Sequence, residues 1–358
     1  MSANNLYRWP PRILMNFDGC QAFKYLRRRQ PEDVTDLMIP LADTGVDVIC
    51  ALVGVDDDLS WRGSPYGEVW GDTLGYSIDD LLTESGEPRS AAALNLEPND
   101  LLQMALRAMV DDGHDVYQQY VDRARELGLG IFASFRMNAA NANTEHRMAD
   151  GRRSKFALAN QHLMIGAGEL KGNGRGFNFC WQWNWALDEV HDRFLGRFDE
   201  VLTRYEVDGL ELDFCRNFPF FRRFQGFKHI GTMNRFMERA REIVRAHEKR
   251  RGSGIKLLCR IASSFDACAE QGLDAEHWIR EGFVDMVAVS SMGKLENDVP
   301  RAVAAAKSTG ALVYVGSTAV PPASPQEGYE SGQPTVRRGI ALNAYRQGAA
   351  GVHLFNYD

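Results

Sequence analysis

Short apolar runs alternate along this chain with longer stretches of helical period. Strands are expected over residues 12–18, 46–54, 129–138, 207–214, 255–264, 284–291, 311–318 and 351–357. Helices are expected over 31–44, 100–111, 114–127, 186–205, 232–250, 275–281, 299–308 and 335–346. In the stretch 186–205, Leu187, Val190, Phe194, Phe198, Val201 and Leu202 fall on one side. Strands alternating with helices predict a parallel α/β fold. Eight strands with helices between them predict a closed (β/α)₈ TIM barrel that uses residues 1–358 as one catalytic domain. No G-x-G-x-x-G follows the first strand, which disfavours a dinucleotide-binding sheet. The chain stops at the eighth strand, so a final helix or a further domain is expected to be missing.

Two long excursions follow the second and third strands, at residues 55–98 and 139–184. The first carries Trp61, Tyr66, Trp70 and Tyr76. The second carries Phe177, Phe179, Trp181 and Trp183, with Trp185 just beyond. Both leave the C-terminal ends of strands, the face on which barrel active sites form. Rings there could stack on the apolar faces of sugars, or could form small cores that hold the loops together. Trp61, Trp70, Trp181 and Trp183 are the expected platforms.

The fourth strand carries the chemistry. In Val207-Asp208-Gly209-Leu210-Glu211-Leu212-Asp213-Phe214, positions two apart share a face. Glu211 and Asp213 therefore point one way, and Leu210, Leu212 and Phe214 the other. The same parity turns Asn16 and Asp18 inward on the first strand and Ser134, Arg136 and Asn138 inward on the third. It does the same for Arg260 and Ser264 on the fifth, Ser290 on the sixth and His353 on the eighth. The barrel is expected to hold Asp18, Glu211 and Asp213 against Arg136 and Arg260. Buried charges are costly unless paired, so at least one arginine should meet Glu211 or Asp213. Glu211, one layer deeper, is the expected structural partner, leaving Asp213 for substrate.

Two carboxyls flanking a glycosidic oxygen, roughly 5 Å apart for retention or about 6.5–9.5 Å for inversion, would hydrolyse it. Asp213 is the expected nucleophile or base, with Glu211 beside it. The second carboxyl is sought among Asp266 and Glu270 after the fifth strand, and Glu296 and Asp298 after the sixth. Asp298, before Val299-Pro300, also reads as a helix cap. Asp18, Arg136, Asn138, Arg216, Arg260 and His353 are expected to contact substrate. Asp18, Glu211, Asp213 and His353 would also suit an oxygen-rich metal site. No H-x-H or H-E-x-x-H spacing occurs, and the two arginines would oppose a cation, so no metal or other cofactor is expected. No G-x-S-x-G elbow supports a serine hydrolase.

Composition is that of an ordinary globular protein of 358 residues. A formal charge of −7 argues against a nucleic-acid or anionic-membrane partner. None of the six cysteines stands in a C-x-x-C pair, and Cys50 and Cys259 lie in apolar strands, where a thiol acts as a small hydrophobe. The first residues show no charged segment followed by an apolar run, which predicts no signal peptide and a cytoplasmic location. Nothing in the sequence indicates the oligomeric state.

The segment from Tyr205 through Asp213 to Arg216 resembles the fourth-strand signature of the bacterial family-10-like glycosyl hydrolases. Asp122-Arg123-Ala124-Arg125-Glu126-Leu127-Gly128, followed by Phe132-Ala133-Ser134-Phe135-Arg136-Met137-Asn138, is similar to their third-strand region. The resemblance spans about residues 100–220. It implies a (β/α)₈ fold and a carbohydrate substrate, with Asp213 and Arg136 in the cleft. In that family an acid and a histidine commonly follow R-M-N, whereas here Ala139-Ala140-Asn141 follows. The expected function is glycoside hydrolysis. The alternatives are a carbohydrate-binding barrel without catalysis and a metal-dependent hydrolase using the same cleft.

Overall fold

The computed structural model describes residues 7–19, 30–55, 57–72, 77–81, 83, 98–138, 154–166, 182–215, 218–290, 297–318 and 334–355. All eight expected strands form: β1 (Ile13–Phe17), β2 (Val48–Leu52), β3 (Gly130–Arg136), β4 (Gly209–Asp213), β5 (Lys256–Ile261), β6 (Met286–Ser290), β7 (Leu312–Thr318) and β8 (Gly351–Phe355). Each pairs in parallel with its sequence neighbours, and β8 closes the ring onto β1. The fold is a (β/α)₈ barrel.

The flanking helices include α1 (Pro31–Thr35), α2 (Pro98–Asp111), α3 (Val116–Glu126), α4 (Asp188–Arg204), α5 (Ile230–Arg251), α6 (Phe265–Glu270), α7 (Ala275–Arg280), α8 (Val299–Ala306) and α9 (Pro334–Arg346). The break between α2 and α3 falls at Gly113, whose φ of 92° is left-handed. The α-helix expected over 31–44 stops at Thr35 and continues as a 3₁₀ turn over Asp36–Asp43. Pro40 lies inside that turn and brings no N–H to an α-helical ladder. Helix α6 was not expected; its six residues are too few to show a period, and Ser264 caps it by accepting from the Ala267 N–H.

Three Val-Asp pairs staple the bottom of the barrel: Val46-Asp47, Val207-Asp208 and Val284-Asp285. Each aspartate precedes an even-numbered strand and grips the strand before it. The N–H groups of Asp47, Asp208 and Asp285 donate to the carbonyls of Ile13, Ile131 and Leu257. Their carboxylates accept from the N–H groups of the same three residues at 2.9–3.1 Å. Their own carbonyls then accept from Gly130, Lys256 and Leu312 on the following strand. Asp208, just ahead of the Glu211 and Asp213 strand, is therefore a structural staple on the N-terminal face, where barrels keep stability rather than chemistry.

Apolar residues fill the lower half of the interior: Tyr7, Leu14, Val48, Phe132, Leu258, Met286 and Tyr314 pack as one cluster with Cys50 and Ala288. Above them the inward positions turn polar. Gly316 keeps this upper level open, since a Cβ there would lie 2.5 Å from the Ser290 side chain.

Candidate active site at the barrel mouth

Strand register brings the charged residues together. Asp213, the last residue of β4, stands level with Arg136 on β3 and Arg260 on β5. Arg260 Nη1 donates to both carboxylate oxygens of Asp213 at 2.9 Å, and the pair is almost fully buried. The Cys215 N–H also donates to Asp213 Oδ1 at 2.8 Å. The Arg260 guanidinium lies 3.8 Å from the ring centre of Phe355. Burial opposes its charge, but Asp213, Cys215 and Glu211 together outweigh burial and hold its pKa above the ordinary arginine value. Arg136 Nη2 donates to Asp18 Oδ2 at 2.5 Å.

Glu211 lies one layer below, fully buried, with Oε1 2.5 Å from Nε2 of His353 on β8. Burial alone would raise its pKa. The charge and hydrogen bond of His353, with Ser134 and Arg260, outweigh burial and hold it below the ordinary carboxylate range. The thiol of Cys50 on β2 belongs to the same group: Cys50, Glu211 and His353 bring one ligand-type atom each within 4.8 Å of one another. Burial, then the charge of Glu211, pushes this thiol well above its usual range.

Both arginines face inward, as parity requires, and Arg260 meets an acid of β4 while Arg136 meets Asp18. The expected division of labour is reversed, because Arg260 takes Asp213 and Glu211 takes His353. Register explains this: Arg260 sits opposite Asp213, whereas Leu258 sits opposite Glu211. The oxygen-rich set of Asp18, Glu211, Asp213 and His353 is likewise divided among three partners. Cys50, read as a small hydrophobe, shares the central layer; alternation within β2 could have placed it inward, but its apolar neighbours masked its role.

The other expected site residues separate clearly. Asn138 is a buried tie: its Nδ2 donates to Gln182 Oε1 and the Pro219 carbonyl, and its Oδ1 accepts from the Trp183 N–H. Asp266 is exposed and pairs with Arg301 outside the barrel, because its side chain leaves the first turn of α6 away from the mouth. Trp61, Trp70 and Trp183 are core rings, exposed by 2%, 8% and 1%, and present no open stacking face. Trp61 packs edge-on against Tyr117 and Tyr205 while its Nε1 donates to Glu200. Arg216, Trp181 and Glu296 lie outside the described residues.

Two adjoining cavities, of about 200 and 590 Å³, open beside the ends of β4, β5 and β6. Cys215, Ser263 and Ser290 line the inner one, and Phe221, Phe224 and Phe227 the outer one. Phe218, Glu270 and Gln271 line both. Phe224 and Phe227 are 85% and 62% exposed, and Phe224 holds a left-handed φ of 61°. Such backbone is uncommon outside glycine and often marks functional loops.

No family model and no curated protein matches the sequence. Solved structures match over nearly its whole length. The alpha-L-fucosidase isoenzyme 2 of Paenibacillus thiaminolyticus aligns with a TM-score of 0.53 at 13% identity, over 97% of this chain and 46% of that one. A GH36 alpha-galactosidase from Geobacillus stearothermophilus, in complex with 1-deoxygalactonojirimycin, aligns with a TM-score of 0.47 at 10% identity, over 99% and 39%. A GH20 exo beta-N-acetylglucosaminidase from Vibrio harveyi gives 0.47 at 12%, over 98% and 50%. The chain thus spans two fifths to half of the length of these proteins. At 13% identity the likeness to the fucosidase is one of fold. Among the described residues no helix is long and apolar enough to cross a membrane.

Proposed function

We propose that this barrel hydrolyses glycosidic bonds of an oligo- or polysaccharide at its C-terminal mouth. The observation that carries this reading is the position of Asp213. It ends β4 at the mouth, fixed by Arg260 and the Cys215 N–H, and Cys215 itself lines the adjoining cavity. A carboxylate so oriented suits a nucleophile or base. The groove beyond it suits a sugar, with open phenylalanine faces for apolar ring surfaces and Glu270 and Gln271 for hydroxyls. In this reading Glu270 takes the role sought at Asp266, as the second carboxyl, and Arg136 with Asp18 binds substrate across the mouth.

The test is turnover on a panel of aryl glycosides and oligosaccharides. Asp213→Asn should lower the rate by about a hundredfold or more while remaining folded, and Glu270→Gln should lower it where Asp266→Asn does not. A folded Asp213→Asn variant with undiminished turnover would falsify the assignment.

A second reading, carbohydrate binding without catalysis, is favoured by one observation: both Asp213 oxygens are already engaged and the side chain is almost fully buried. Calorimetric titration beside a product assay separates the two readings, since heat without product supports binding alone.

A further inference from the structure

The geometry points to a second, buried site: we propose that Cys50, Glu211 and His353 bind a zinc-like divalent transition ion in the central layer of the barrel. The proposal does not depend on the hydrolase reading. A thiol, a carboxylate and an imidazole are the donor types that zinc takes from proteins. Here they come from β2, β4 and β8, one ligand-type atom from each, all within 4.8 Å of one another. Tetrahedral zinc, with bonds of about 2.0–2.3 Å, needs its donors about 3.3–3.8 Å apart. The Glu211–His353 contact of 2.5 Å would open slightly and the thiol would close in.

Charge is also favourable. Arg260, whose charge also acts on Glu211, is already matched by Asp213. A thiolate and a carboxylate would then neutralise a divalent ion, with the thiol proton released to solvent on binding. Motif spacing could not show this site, because its ligands lie on three strands far apart in sequence.

The experiment is equilibrium dialysis of the full chain against low-micromolar zinc, followed by metal analysis and X-ray absorption. The expected result is about one zinc per chain with a sulfur neighbour at about 2.3 Å. Cys50→Ser should lose that sulfur signal and bind at least about tenfold more weakly, as should His353→Gln. Wild-type protein that holds no zinc after dialysis overturns the proposal even if the variants fail to fold. So does zinc retained with an unchanged sulfur shell in Cys50→Ser, which would place the ion elsewhere.

Discussion

Glu211 and His353 meet across the barrel axis. Their strands, β4 and β8, stand four apart in a ring of eight, yet Oε1 and Nε2 lie 2.5 Å from each other with both side chains fully buried. The contact bridges opposite walls at the level where the apolar plug gives way to the polar mouth.

The contact makes stability depend on acid. Glu211 has its pKa held below the ordinary value of 4.5, so the unfolded chain binds its proton first as pH falls. Its contribution is therefore complete above that value and is lost as pH drops through the lower folded value. Glu211→Gln should be less stable than wild type at neutral pH, and the gap should narrow below about pH 4. Urea unfolding at several pH values measures this, and a gap that widens with acid contradicts it.

Arg260→Met should cost about 3–5 kcal/mol, because it leaves the Asp213 carboxylate buried without its cation. The double variant Arg260→Met/Asp213→Leu should recover much of that loss, since an apolar pair needs no charge balance. Denaturant midpoints of the two variants decide; a single variant costing under about 1 kcal/mol would show that the pair is not closed off from water.

Asp208→Ala should destabilise by about 1–3 kcal/mol by orphaning the Ile131 N–H at the bottom of the barrel. Binding and turnover at the mouth should be unchanged in the folded fraction. A loss of substrate affinity without a loss of stability would mean that this aspartate is not a staple.

Trp61→Ala should cost about 3–5 kcal/mol with no change in oligosaccharide affinity, since the ring is core. Phe227→Ala should do the opposite, keeping stability within about 0.5 kcal/mol while weakening sugar binding. Paired melting and titration curves test both, and the reverse ranking would move the binding surface to the excursion after β2.

The sequence by itself determined the barrel. Period-two alternation in eight strands set which side chains turn inward, and that parity holds for Asn16, Glu211, Asp213, Arg260, Ser290 and His353 alike. Alternation is a local property, fixed by the geometry of an extended backbone. Partner choice was decided only by tertiary structure. Whether Arg260 meets Glu211 or Asp213 depends on the stagger between β4 and β5, and whether His353 reaches Glu211 depends on the ring closing. The tryptophans show the same limit, since a loop ring is core or platform according to what packs on it, and Trp61 finds Tyr117 and Tyr205. Cys50 shows it most sharply. Its strand gave it an apolar setting, and only closure of the barrel placed an acid and an imidazole from distant parts of the chain beside its thiol.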